Sequence, residues 1–147
     1  MPAPNNPEVW QSLFDLIPFP IYVADVVSYA VIAVNEPMRK RTGDIQGKPC
    51  YKAIYLLDAP CPFCRIPELR RAHGGEPVDS EAVFELFNER DDRWYQLQEK
   101  IITWFDGALV KHSIAVDISI LKAVQNELAE AHVKSFLLNR ELQVMCT

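Results

Sequence analysis

The segment WFDGALVKHSIAVDIS, residues 104–119, decides the fold class of this 147-residue chain. Asp106 and Gly107 predict a two-residue hairpin turn, because glycine readily adopts the positive φ that a tight turn requires. Apolar residues then alternate with polar ones, which predicts a strand over residues 108–118. At Ser119 the alternation stops and a helical period begins. The segment therefore predicts an antiparallel hairpin whose second strand runs into a helix.

Four further strands are predicted upstream of this turn. Their segments are rich in β-branched and aromatic residues, which favour a pleated, half-buried surface. They cover residues 21–26, 29–35, 81–87 and 93–105. Because short connections join the members of each pair, we expect two more antiparallel pairings within one sheet.

The remaining segments predict helices. A first helix is expected over residues 7–17, with Asn6 as its cap. Asn35 is predicted to cap a second helix that Gly43 ends. Residues 44–79 are rich in proline and are predicted to be irregular, with short helical turns.

The C-terminal segment carries a heptad pattern. Its apolar or small residues recur in alternating steps of three and four, which is typical of a coiled-coil seam. At 1.5 Å per residue, a helix from Ser119 to the end extends about 40 Å, and we predict a parallel dimer. The alternative is an amphipathic helix on the protein's own sheet, favoured by Phe136 and Leu137, which lie off the seam. The predicted seam includes Leu121, Val124, Leu128, Leu138 and Leu142.

Composition excludes several classes of function. The net charge of -5 argues against nucleic acid, because phosphate binding requires a concentrated basic surface. Residues 16–34 are apolar, but Pro18, Pro20 and Asp25 argue against a membrane span. No signal-peptide pattern opens the chain. We therefore expect a cytoplasmic protein without membrane or nucleic-acid contact, whose cysteines are reduced.

This order of elements resembles the PAS sensory domain from about residue 8 onward. Each motif alone is weak, but their order and spacing together are specific. GKPCY and the following PCPFC are similar to a cysteine-bearing subgroup of PAS domains in bacterial signalling proteins. The residues that carry the resemblance are Leu16-Ile17-Pro18 leading into IYVAD, VN at 34–35, TG at 42–43, Gly47, and WFDGALV leading into AVDIS at 115–119.

The resemblance implies an α+β fold, with a five-stranded antiparallel sheet and short helices that enclose a pocket on one face. It divides the chain into an N-terminal helix (residues 1–19), a sensory domain (20–118) and a C-terminal coiled-coil signalling helix (119–147). Asp117 and Ser119 would form the junction that relays the signal from sheet to helix.

The function implied is that of a non-catalytic sensory and dimerisation module. Such domains form homodimers through the C-terminal helix and the domain surface, and they relay a ligand or redox signal to an output domain in cis. The closing residues, NRELQVMCT, are similar to linkers that lead into diguanylate cyclases, so we rank that output above a histidine kinase and expect the protein to continue beyond Thr147. The chain lacks a Walker-type glycine loop, and we expect no enzyme activity from it.

The expected pocket lies between the inner sheet face and residues 38–72. Its predicted wall residues are Tyr22, Tyr51, Trp104 and His112. Alternation does not decide which strand face points inward, because both faces of the strands are partly apolar.

Three cysteines in one loop leave three interpretations open. Cys61 and Cys64 have good spacing for two metal ligands, and Cys50 and His73 complete a set of four, so a metal- or iron–sulfur-binding redox protein is the alternative function. The second interpretation is a redox disulfide among the cysteines. The third is that they are small, reduced, partly buried residues in a loop that is typical of the family.

We expect neither flavin nor haem, and the identity of any cofactor stays undetermined. Cys50 occupies roughly the place of the photoreactive cysteine in light-sensing flavin relatives, but the flanking pattern here is Pro-Cys-Tyr-Lys-Ala-Ile in place of Asn-Cys-Arg-Phe-Leu-Gln. Haem requires an axial ligand such as histidine. His73 lies too close to a glycine pair for that role, and His112 is expected to be a core histidine.

Overall fold

The computed structural model describes residues 7–69 and 81–145. The elements are α1 (Pro7–Leu16), β1 (Ile21–Asp25), β2 (Val31–Val34), α2 (Glu36–Thr42), α3 (Cys50–Tyr55), β3 (Glu81–Asn88), β4 (Arg93–Thr103), β5 (Leu109–Asp117) and α4 (Ser119–Met145). Residues 66–69 form a further helical turn. The predicted cap at Asn6 and the candidate ligand His73 lie outside the described residues.

The five strands form one antiparallel sheet in the order β2-β1-β5-β4-β3. β5, the last strand in the sequence, is the central one and pairs with both β1 and β4. Gly107 has φ 86°, but the predicted two-residue turn is wrong in length. Thr103 pairs with Leu109, and the Trp104 N–H donates to the Ala108 carbonyl oxygen at 2.8 Å, so the loop contains the three residues 105–107 and ends at Gly107. The predicted α+β fold, with a five-stranded antiparallel sheet, helices and a long C-terminal helix, is confirmed.

The two faces of the sheet are covered by different helices. On the outer face, α1 packs through Phe14 against a cluster that includes Val23 and Val110. Trp10 of α1 meets Trp104 edge to face, with ring centroids 5.5 Å apart. On the inner face, α2 and α3 pack against the sheet in a cluster that includes Tyr22, Met38 and Ile54. The space for a pocket is on this inner face.

Asn35 joins three elements at the centre of the molecule. It is fully buried, and its Oδ1 accepts hydrogen bonds from the backbone N–H of Ile21 (2.9 Å) and of Met38 (3.2 Å). Its Nδ2 donates to the carbonyl oxygen of Phe19 at 2.8 Å. The predicted cap of α2 is thus confirmed, and the same side chain also fixes the start of β1 and the segment after α1.

α4 leaves the sheet after its first turn. Lys122 forms an ion pair with Glu85 of β3, and its ammonium lies 5.0 Å from the centroid of the Trp94 ring. All described side chains beyond it, from residue 123 to residue 143, are exposed. The alternative that this helix lies on the protein's own sheet is therefore wrong for the described residues, because only its first turn contacts β3 and β4.

The apolar stretch of residues 16–34 forms the end of α1, β1 and β2. Among the residues that the structure describes, none of the helices combines the length and the apolar character that a membrane crossing requires.

Candidate functional site

A small cavity lies between the inner face of the sheet and α3. Its volume, measured for the centre of a water-sized sphere, is about 10 Å³, which is room for about one water molecule. Tyr22 and Tyr51, both predicted as pocket residues, line it. The full lining consists of Tyr22, Tyr29, Cys50, Tyr51, Tyr55, Cys61, Phe63, Cys64, Glu99 and Lys111.

The other two predicted wall residues, Trp104 and His112, lie on the outer face. Trp104 belongs to the cluster under α1. His112 is half-buried, and its backbone pairs with Val23 and Lys100. Burial lowers the pKa of the His112 imidazole, so the ring is neutral at neutral pH. The prediction differs from the structure here because both faces of β5 carry apolar residues, so alternation did not identify the inner one.

The floor of the cavity is a buried ion pair. Lys111 Nζ of β5 lies 3.3 Å from Glu99 Oε2 of β4, and the two side chains are 5% and 3% exposed. The Ser113 hydroxyl donates to the same Glu99 oxygen at 2.8 Å. Sequence reasoning missed this pair, although a signal was present. Glu99 falls on the strand face that it shares with Leu97 and Ile101, which is an apolar face.

The pair sets the charge state of the cavity. Burial by itself lowers the pKa of the Lys111 ammonium, but a hydrogen bond with Tyr22 and the charge of Glu99 more than compensate and hold that pKa well above its usual value. Burial raises the pKa of the Tyr22 phenol well above its usual range. At neutral pH the cavity therefore presents a charged ammonium at its floor and a neutral phenol beside it.

All three loop cysteines face this cavity as free thiols. Cys50 is buried at the first turn of α3, whereas Cys61 and Cys64 are half-buried in the following loop. Burial raises the pKa of Cys50, and it raises the pKa of Cys61 to about 12. Protonated thiols are poor metal ligands and slow nucleophiles. In residues 7–69 and 81–145, no group of three histidine, cysteine or acidic side chains is arranged to hold a metal ion, so the structure does not favour the metal-binding alternative.

Tyr22 and Tyr55 also line a second cavity of the same size. The two tyrosines therefore form the wall between two small cavities on the inner face of the sheet. Burial raises the pKa of Tyr55, so both phenols are neutral at neutral pH. The other residues of the second cavity are Pro20, Met38, Arg41, Ile54, Leu86, Asn88, Tyr95, Leu97, Ser113 and Ala115.

Comparison with known proteins supports the fold strongly, although no family model and no curated protein matches the sequence. The PAS domain of an HTR-like protein from Haloarcula marismortui is 20% identical, with a TM-score of 0.52 over 76% of this chain and 96% of that one. The PAS domain of nitrogen regulation protein NR(II) from Vibrio parahaemolyticus is 8% identical, with a TM-score of 0.56 over 75% of this chain and 98% of that one. The chain has the PAS fold.

A third solved structure, an RNA-binding light-oxygen-voltage receptor, is 15% identical, with a TM-score of 0.56. The match covers 96% of this chain but only 40% of that receptor. Because a light-oxygen-voltage receptor is among the similar structures, the comparisons do not support the expectation that flavin is absent. The membership of this chain in a cysteine-bearing PAS subgroup stays a prediction.

The junction between the PAS sheet and α4 is closed by hydrogen bonds. The Arg93 guanidinium donates to Asp117 at 3.1 Å, the Trp94 N–H to Ser119 Oγ at 3.0 Å and the Ser119 N–H to Asp117 at 2.9 Å. Although desolvation raises it, hydrogen bonds from Ser119 and the charge of Arg93 hold the pKa of Asp117 below its usual value. The predicted relay residues Asp117 and Ser119 thus both bind the start of β4.

The turn between β3 and β4 connects this junction to the cavity. The Arg90 guanidinium donates to the carbonyl oxygens of Ala53 (3.1 Å) and Ile54 (3.2 Å) in α3. Asp91 pairs with Arg41 of α2 at 3.1 Å. Residues 90–94 therefore contact the two cavity helices at one end and the base of α4 at the other. The sequence analysis treated this segment only as a short connection between two strands and did not predict its contacts, which involve residues far away in the sequence.

Proposed function

We propose that this chain is the sensory and dimerisation module of a larger signalling protein. Residues 20–118 detect a small ligand or a redox change, and residues 119–147 pass the change on as a parallel coiled coil with a second copy. The observation that carries the proposal is α4, which spans 27 residues and leaves the sheet with its apolar side chains exposed.

The exposed stripe of α4 supports a second copy as its partner. Leu128 and Leu138 are 66% and 59% exposed, and both fall on the predicted heptad seam. An isolated helix gains most of its stability from packing of its apolar face. Burial of each such leucine stabilises by about 1.5–3 kcal/mol, so pairing with an identical stripe accounts for a long helix in this position.

The contacts of the PAS domain support a route for the signal. A change of packing at the cavity moves α3, which Arg90 joins to the β3–β4 turn. Arg93 and Trp94 then transmit the shift to Asp117 and Ser119. A small displacement of this kind is sufficient to alter the register or the angle of two packed helices. The output is a diguanylate cyclase or a histidine kinase domain in cis, in the cytoplasm, whereas the module itself is not catalytic.

The dimer is tested with two matched variants of α4, Leu128→Glu and Asn126→Glu. Each variant adds one negative charge, and the two positions lie only two residues apart on the helix. Only Leu128 lies on the predicted seam. Loss of two buried leucines removes about 3–6 kcal/mol, so we expect at least a hundredfold weaker association of Leu128→Glu in sedimentation equilibrium. We expect Asn126→Glu to associate like the unmodified chain. A chain that stays monomeric at high concentration, or equal behaviour of the two variants, contradicts the proposal.

A further inference from the structure

We propose that Cys61 and Cys64 form a thiol–disulfide switch in the cavity wall, which low-molecular-weight disulfides oxidise while Cys50 stays reduced. The inference rests on the proposed sensory function and names the class of signal, the ratio of small disulfide to small thiol. Three observations carry it: the turn that joins the two cysteines, the position of all three thiols on one cavity, and the aromatic contact that connects this turn to α3.

The turn places the two cysteines within bonding range. The Cys64 N–H donates to the Cys61 carbonyl oxygen at 2.9 Å, which closes a four-residue turn. The Cα atoms at the two ends of such a turn lie less than about 7 Å apart, and disulfides span Cα separations of about 4.4–6.8 Å. Both cysteines are partly exposed, so a small disulfide can reach them, whereas Cys50 is only 4% exposed.

The chemistry is two successive thiol–disulfide exchanges. The Cys64 sulfur attacks the small disulfide RSSR, which forms a mixed disulfide and releases one RS⁻ that takes up a proton as RSH. The turn holds Cys61 next to this mixed disulfide, so Cys61 attacks within the same chain: its thiol loses its proton, the sulfur forms the Cys61–Cys64 bond, and the second RS⁻ that leaves takes up that proton as RSH. In sum, two cysteine thiols are oxidised and one RSSR is reduced to two RSH. We assign the first attack to Cys64, because the pKa of Cys61, raised to about 12, keeps Cys61 protonated at neutral pH.

The closed disulfide acts on the cavity through Phe63, which lies inside the turn. The Phe63 ring meets the Tyr55 ring edge to face, with centroids 5.0 Å apart. Tyr55 belongs to α3 and separates the two cavities. A bond between Cys61 and Cys64 restricts the turn and with it the position of Phe63. Oxidation therefore changes the packing of α3, the helix that Arg90 links to the β3–β4 turn.

The test incubates the full chain with defined mixtures of glutathione and glutathione disulfide, followed by alkylation and trypsin digestion. Cys61 and Cys64 share the peptide of residues 53–65, whereas Cys50 and Cys146 fall in other peptides. We expect this peptide to become lighter by two hydrogen atoms and to escape alkylation as the disulfide fraction rises. Cys61→Ser and Cys64→Ser abolish that product and leave at most a mixed disulfide, and Cys50→Ser keeps it. A disulfide that includes Cys50, or full alkylation of both cysteines in the most oxidising mixture, overturns the inference.

Sedimentation equilibrium of the undigested chain and of Leu128→Glu distinguishes a failure of this inference from a failure of the proposed function. If Leu128→Glu weakens association but no disulfide forms, the redox inference fails and the sensory module stands. If the disulfide forms but Leu128→Glu associates like the unmodified chain, the Cys61–Cys64 disulfide is supported and the proposed dimer through α4 is wrong. Amide hydrogen exchange in α3 tests the switch itself: we expect a change of exchange on oxidation, and unchanged exchange contradicts a switch.

Discussion

Replacement of Lys111 by methionine tests whether water is excluded from the buried ion pair at the floor of the cavity. Methionine has a similar length but no charge, so Lys111→Met leaves Glu99 buried without its counter-ion. The Ser113 hydroxyl, 2.8 Å away, stays as a partner of that carboxylate. Removal of one member of a buried ion pair costs about 3–5 kcal/mol. Since domains of this size are stable by about 5–15 kcal/mol, we expect a large loss of stability.

The assay is equilibrium unfolding in urea at neutral pH, followed by tryptophan fluorescence. With a slope of about 1–3 kcal/mol per molar urea, the unfolding midpoint of Lys111→Met falls by roughly 2 M. The matched control is Lys100→Met, which makes the same change at an exposed position of β4 and is expected to alter the free energy of unfolding by less than about 0.5 kcal/mol. The double variant Lys111→Met/Glu99→Gln removes both charges but keeps an acceptor for Ser113, so it recovers most of the loss.

Two results refute this reasoning. A loss of less than about 1 kcal/mol in Lys111→Met is the value of a solvated surface pair, and it implies that water reaches the floor of the cavity. A double variant as unstable as the sum of the two single variants shows that the charges do not depend on each other.

Two further predictions concern Asn35 and His112. Asn35→Ala removes the cap of α2 and leaves the buried N–H of Ile21 unpaired, so we expect the free energy of unfolding in urea to fall by at least about 2–3 kcal/mol. A loss below about 1 kcal/mol contradicts the role of Asn35 in joining these elements. Because burial lowers the pKa of His112, its contribution is present above the unfolded pKa of about 6.5 and is lost as pH falls through the folded pKa. We therefore expect the free energy of unfolding of the unmodified chain to fall more than that of His112→Asn between pH 7.5 and about pH 5. If the two free energies change in parallel with pH, His112 is not the group responsible.

The sequence by itself determined the elements of this PAS fold, because local physics specifies them. The hairpin that ends at Gly107, the cap at Asn35 and the alternation along residues 108–118 each depend on neighbouring residues, and the structure confirms them, with a loop of three residues in place of the predicted two. The five-stranded sheet followed from the order of these elements and from their resemblance to PAS domains. The exposed heptad stripe of α4 was likewise readable from the period of its apolar residues.

Only the tertiary structure decided which residues meet at the cavity. Alternation separates a strand into two faces, but it does not orient them when both are apolar, so Trp104 and His112 were placed on the wrong side. Glu99 and Lys111 are neighbours because of the register between β4 and β5, and both are buried beneath a cavity that α3 and the following loop line from the other side. Long-range packing determines how deeply the cavity residues are buried, which of them are charged, and which cysteines lie near the ion pair. A linear pattern of residue types does not contain that information.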